Sequence, residues 1–182
     1  MTFIDVAGAT AAASLLGWLL GERLSLELFG FSPRFLENPL HLYRVVTSSL
    51  FHLDIEHLVV NLIGFVLFSL PVEKAHPDTY LGLLLFSGIS STLGTTLIYL
   101  LHDRDVLSIG LSGVVYGLIA AFLAERPTDL FLGFLPGWLL GAIYLGITLY
   151  DAFLSDLDDH IDHLGHLGGA VGGLVYAEFV WF

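Results

Sequence analysis

Ser108-Ile109-Gly110-Leu111-Ser112-Gly113-Val114-Val115-Tyr116-Gly117 sets a serine at the mouth of an apolar helix with glycine on both sides. Gly110 lets the chain turn sharply into that helix. Gly113 and Gly117 leave a groove without side chains, where a neighbouring helix can come close. The neighbour is His166-Leu167-Gly168-Gly169-Ala170-Val171-Gly172-Gly173, in which Gly169 and Gly173 follow a histidine at helical spacing and share its face. Two glycine faces in contact would bring Ser112 and His166 together. Taken singly, the pieces are ordinary: small-xxx-small spacing is common packing between membrane helices, and a serine at a helix start is commonly a cap. A histidine within an apolar helix is expensive and points to function by default.

The composition says what surrounds this pair. Of 182 residues, 55% are hydrophobic and 13% charged, against about 25% charged in an ordinary soluble domain. Mean hydropathy is +0.82. Apolar runs close to the spanning length of about 20 residues fall at 6–20, 53–70, 80–101, 111–123, 130–149 and 161–182. The fold expected is all-α: one bundle of six transmembrane helices filling residues 1–182 as a single domain, a multi-pass protein of the cell membrane with the lipid bilayer as its solvent. The first run has Asp5 and no basic residue before it, unlike a signal peptide, and reads as a retained span. With no cysteine, disulfides, iron–sulfur clusters and thiol nucleophiles are excluded. A net charge of −12 argues against a nucleic-acid partner.

Between the first two spans, residues 21–50 mix Phe29, Phe31, Phe35 and Leu36 with Arg23, Glu27, Arg34 and Glu37, the pattern of a segment lying in the interface. Pro33 and Pro39 break any long helix there. The second span opens at His52, and His57 and Asn61, four residues apart, can donate hydrogen bonds into one small volume. An interhelical clip is the plainer reading of that pair. In the third span Ser87, Ser90, Ser91 and Thr92 with Gly88 and Gly94 are packing residues. The fourth run is too short to cross the hydrocarbon at about 1.5 Å per residue. Ser112 is therefore expected below the membrane surface, reached by non-helical chain over 105–110. Irregular backbone at that depth must be covered by protein or line a wet cavity.

The fifth run carries Gly133, Pro136, Gly137 and Gly141, which kink it and make it a candidate lateral gate. Asp151 is expected to start a solvated acidic loop. His160, His163 and His166 follow with Asp158, Asp159 and Asp162, so a divalent cation at the membrane face is an open alternative. Spacing of three fans the rings by about 60° per step, which suits one tetrahedral ion poorly. Asp162, one turn from His166, is expected on the solvent side, which leaves a Ser–His dyad rather than a triad.

A hydroxyl, an imidazole and two donors beside a helix N-terminus are the parts of an acyl-transfer site. His166 would take the proton of Ser112, while His57, Asn61 and the Ser112 N–H would hold the oxyanion. Tyr116, one turn from Ser112, could pack on the imidazole and orient it. The base must be neutral, so from a reference pKa of about 6.5 activity is expected to fall on acidification.

These motifs together resemble the rhomboids, intramembrane serine proteases. Gly110-Leu111-Ser112-Gly113 is similar to the family's Gly-x-Ser-Gly, continued by Val114-Val115-Tyr116-Gly117. His52, His57 and Asn61 resemble its His-x4-His-x3-Asn, and His166, Gly169 and Gly173 its His-x2-Gly-x3-Gly. The resemblance implies Ser112 as nucleophile, His166 as base, His57 and Asn61 as oxyanion donors, and Gly110, Gly113, Tyr116 and His52 in support. It implies no metal or other cofactor, and transmembrane proteins as substrates. Tyr43-Arg44 resembles the family's Trp-Arg pair in the first loop, and Glu73 a structural acid ending the second span. The family's usual topology puts the N-terminus in the cytoplasm, whereas the few basic residues counted by the positive-inside rule point the other way. A non-catalytic relative that binds membrane proteins without cutting them is the remaining alternative.

Overall fold

The computed structural model describes residues 1–102, 106–131, 133–154 and 162–182. Its helices are α1 (Phe3–Leu20), α2 (Glu22–Phe29), the single turn α3 (Arg44–Thr47), α4 (Ile55–Ala75), α5 (Tyr80–His102), α6 (Ser112–Glu125), α7 (Gly137–Leu154) and α8 (His163–Val180). A short antiparallel hairpin, β1 (Leu130–Phe131) and β2 (Leu135–Pro136), precedes α7.

Among the described residues four helices, α1, α4, α5 and α7, are long and apolar enough to cross a membrane. That is fewer than the six spans expected, and the two missing ones are the innermost. α6 has 14 residues, about 21 Å of helix, against a hydrocarbon core of about 30 Å. In α8, histidines, glycines and Glu178 lower the hydropathy. α6 is mostly buried against protein and α8 buries its glycine face, so their sequences answer to packing rather than to lipid. The outer helices expose leucine, isoleucine and valine freely, as at Leu19, Val60, Ile63, Leu67 and Ile147.

α6 runs through the middle, with Leu118 and Ala121 wholly enclosed. Glycine and serine set the distances around it. A Cβ on Gly169 would overlap the carbonyl oxygen of Gly113, and one on Gly173 that of Gly117, so α8 lies backbone to backbone on α6. The other glycine pair of α8 faces α5: a Cβ on Gly168 would overlap Ser90 O, and one on Gly172 would lie 2.5 Å from the Ser90 side chain. The notches at Gly113 and Gly117 are filled chiefly by Ser91 and Ser87 of α5. The α6–α8 contact expected from spacing is thus a three-helix contact.

The interfacial segment forms α2, α3 and three 3₁₀ turns, of which Pro33–Glu37 and Pro39–His41 are each opened by a proline and the third is Ser48–Leu50. It is fastened inward rather than left lying free. Buried Arg44 donates to the carbonyls of Gly30 and Glu27, Tyr43 Oη donates to Leu28 O at 2.6 Å, and Phe31 is 1% exposed. Phe31 exchanges two backbone hydrogen bonds with Ser108, at 2.9 and 2.8 Å, in the loop leading to Ser112.

At the opposite end of the bundle, Glu73 Oε2 accepts from Phe3 N at 3.0 Å, and His76 Nε2 meets Glu125 Oε1 at 3.0 Å. The fifth run differs from expectation. Its first residues form the hairpin, turned by Gly133 at φ +80°, and the helix begins at Gly137, because a glycine in that conformation and the missing N–H of Pro136 do not continue a helix. At its other end Asp151 lies within α7 rather than opening a loop.

Candidate active site

His166 on α8 reaches the first residue of α6, placing Nε2 2.8 Å from Ser112 Oγ. The glycine contact sets this distance: Gly169 and Gly173 let the two backbones approach, and His166 lies one turn before Gly169. Tyr116 stacks on the imidazole with centroids 4.4 Å apart and planes 11° off parallel. Ser112 and His166 share a cleft of ≈ 630 Å³ with His57, Asn61, Tyr116 and Tyr144.

The loop that delivers Ser112 is held at three points. Gly110 N donates to Ser48 O at 2.8 Å, Ser108 pairs with Phe31, and Leu111 N donates to His52 Nε2 at 3.1 Å. Gly110 has φ +132°, and the His57 ring occupies the space a Cβ would need, with Cε1 2.6 Å from it. Any side chain at position 110 would strain the backbone and displace His57.

His52 is 2% exposed, and its partners define its tautomer. Nε2 accepts from Leu111, so Nδ1 carries the hydrogen and donates to Ser14 Oγ at 3.1 Å. Ser14 Oγ donates in turn to Leu50 O at 3.3 Å. Trp18 Nε1 donates to His52 O at 2.9 Å, so α1 grips this residue twice. Burial, with the neighbouring His57, pushes the His52 pKa down from 6.5 to about 4. The unfolded chain takes up this proton below about pH 6.5 while the native chain refuses it until about pH 4. Stability is therefore expected to fall as pH drops through that window, by up to about 3 kcal/mol at its acid end. Denaturation in detergent from pH 7 to 4.5 measures this, and His52→Gln should flatten the slope; an equal slope in that variant would contradict the assignment.

Asp54 caps α4 by accepting from His57 N at 2.7 Å, which orients the turn bearing His57. His57 packs edge to face on His52, with centroids 4.9 Å apart. Asn61 is buried, and Nδ2 donates to His57 O at 2.9 Å, leaving its second N–H uncommitted to that bond. Leu111 N is taken by His52, so it is not among the free amides that the start of α6, from Ser112 on, can offer.

Asp162 does not lie on the solvent side as expected. It caps α8, accepting from Gly165 N at 2.8 Å, and its other oxygen accepts from Thr95 Oγ1 of α5. A charged residue beside three histidines reads as surface in a sequence; here the helix start it caps is packed against α5. His160 and residues 155–159, part of the cation alternative, lie outside the described residues. Among the described residues no group of three or more histidine, cysteine, aspartate or glutamate side chains could hold a metal ion.

Tyr144 was not singled out from sequence. Its hydroxyl donates to Tyr116 O at 2.9 Å and its ring lies 5.5 Å from that of Tyr116. The available signal was a phenol in the middle of an apolar span, which needs a partner when buried. Ser14, in the middle of α1, carried the same signal.

Residues 39–181 match the family model described as "Rhomboid domain". The chain is similar to human "Rhomboid-related protein 3", 32% identical over 51% of this chain and 24% of that protein. It is also similar to "RHOMBOID-like protein 6, mitochondrial" of Arabidopsis thaliana, 31% identical over 48% of this chain and 27% of that protein. The chain spans about a quarter of the length of these curated relatives.

Proposed function

Because the chain belongs to the rhomboid family, we propose that this multi-pass membrane protein is an intramembrane serine endopeptidase of the cell membrane, built as one domain of six membrane-embedded helices. The observation that carries the reading is the 2.8 Å contact between Ser112 Oγ and His166 Nε2 at the start of a buried helix. It brings an alcohol and an imidazole 54 residues apart in the chain into one cleft.

His166 Nε2 takes the hydroxyl proton as Ser112 Oγ bonds to the carbonyl carbon of a peptide bond. The stacked face of Tyr116 holds the ring in plane during the transfer. The carbonyl oxygen becomes an oxyanion within reach of Asn61, His57 and the Ser112 amide. His166 then gives its proton to the leaving amine and the C–N bond breaks, leaving an ester on Ser112. Water attacks the ester with His166 again as base, and the carboxylic acid departs from the restored hydroxyl.

Substrates are transmembrane segments of other proteins, which must unwind locally to present a carbonyl. They enter past α7, which has the lowest buried share of the four spanning helices and bonds to α6 through Tyr144. Purified chain in vesicles with a single-pass protein tests this. Cleavage, with one phosphonate label on Ser112, supports the reading; labelling without cleavage of any substrate in a panel overturns the peptidase assignment. Asn61→Ala is expected to lower kcat/KM by about 10²–10³-fold, the usual loss for one oxyanion donor. Unchanged kinetics in that variant would remove Asn61 from the oxyanion site.

A further inference from the structure

Asp162 borders the cleft together with Ser108, Ser112 and His166. Its side chain gathers three segments of the chain. One oxygen accepts from Gly165 N in the first turn of α8, the other accepts from Thr95 Oγ1 of α5, and the Ser108 hydroxyl, in the loop leading to Ser112, is a further donor. A carboxylate can take all three, since its two oxygens offer about four lone-pair sites. The backbone carbonyl of Asp162 accepts in addition from His166 N at 3.0 Å. Glycine makes room for this arrangement: a Cβ on Gly165 would overlap the Asp162 carboxylate, and one on Gly94 would overlap Leu164 O, so α5 comes close enough for Thr95 to reach the start of α8. Thr95 is wholly enclosed, and the carboxylate is nearer to its hydroxyl than Ser91 O, which lies at 3.1 Å.

These bonds close a circuit. From Ser108 the chain runs to Ser112, whose hydroxyl meets His166; His166 lies one turn from Asp162, and Asp162 returns to Ser108. The glycine faces of α6 and α8 set how closely the two helices approach. Surfaces without side chains have no ridges to interlock, however, so they resist sliding and rolling weakly. The circuit supplies that restraint at the end of the contact where the reacting atoms sit.

We propose that Asp162 is a positioning residue of the hydrolytic site: its carboxylate ties the loop that carries Ser112 to the helix that carries His166 and to α5, and so holds the base in line with the nucleophile. The role rests on the protease reading only in that Ser112 is the nucleophile and His166 its base. It works by geometry rather than by charge. Asparagine in this place keeps an oxygen for Gly165 N and turns its amide toward Thr95 and Ser108, whose hydroxyls accept as well as donate; Thr95 is then free to donate to Ser91 O. Asp162→Asn therefore preserves the ties and removes the charge, whereas Asp162→Ala removes both.

The test is the rate at which a phosphonate labels Ser112 in the purified chain, resolved into kinact and Ki, with thermal unfolding of each variant in the same detergent. Asp162→Ala should lower kinact on the order of 10²-fold, as for a misplacement of about 1 Å, and leave Ki within about twofold. Asp162→Asn should come within about threefold of the parent kinact, since its hydrogen bonds are kept. Ser108→Ala leaves the cap of α8 and the backbone pairing with Phe31 in place. It should lower kinact several-fold without moving the melting temperature, and should cost nothing further when added to Asp162→Ala. Parent-like kinact in Ser108→Ala or in Asp162→Ala overturns the proposal, as does a loss in Asp162→Asn as large as in Asp162→Ala, which would make the role one of charge. Should Asp162→Ala fail to fold, Ser108→Ala and Asp162→Asn decide by the same criteria. A parent chain that takes no label overturns the protease reading and this role with it; a labelled parent with equally reactive variants overturns the role alone.

Discussion

Ser112→Ala is expected to abolish cleavage of a transmembrane substrate, with a loss of about 10⁴-fold or more in kcat, and to abolish phosphonate labelling. The size follows from chemistry. Ser112 Oγ lies within hydrogen-bond reach of His166, and a water in its place would have to be bound and deprotonated without the covalent step that divides the reaction in two. Stability should barely change, since the variant loses one hydrogen bond, worth about 1 kcal/mol. Its fold can therefore be checked by thermal unfolding in the same detergent. Hydrolysis that survives at a tenth of the parent rate would mean that another group is the nucleophile.

Gly169→Val should also lower activity, without touching a reacting atom. Its Cβ would overlap the carbonyl oxygen of Gly113, a backbone atom that cannot rotate aside, so α8 must withdraw from α6. Overpacking of this kind costs about 1–3 kcal/mol or more. A retreat of on the order of 1 Å carries His166 off Ser112 and lowers activity by about 10²-fold. Gly146→Ala is the control: nothing lies within 4 Å of its Cβ, and alanine is the better helix former by about 1 kcal/mol, so it should be neutral or slightly stabilising. Equal activity of the Gly169 and Gly146 variants would mean that the close α6–α8 approach does not position the site.

Much of this was legible in one dimension. The four spanning helices follow from apolar length, and the shortness of α6, from which Ser112 is expected below the membrane surface, follows from counting residues at a fixed rise per residue. The glycine pattern named the two helices that meet. Where sequence reasoning missed, a local signal was overridden. Leu130–Phe131 and Leu135–Pro136 fall in an apolar run but pair as a hairpin, because Gly133 and Pro136 impose a turn that hydropathy does not register. Asp162 looks like surface by charge, yet it caps a helix packed against Thr95.

The sequence by itself determined that this is a membrane helix bundle of the rhomboid family, and which serine and histidine to look for, because transfer into lipid and helical spacing depend only on residue type and order. The tertiary structure decided what each polar group touches. That His52 accepts from Leu111, that Tyr144 reaches Tyr116 O, and that the serines of α5 fill the notches of α6 are contacts between segments dozens of residues apart. Their partners are backbone atoms, which every residue carries alike, so no residue type marks them in advance. Only the approach of the helices selects them.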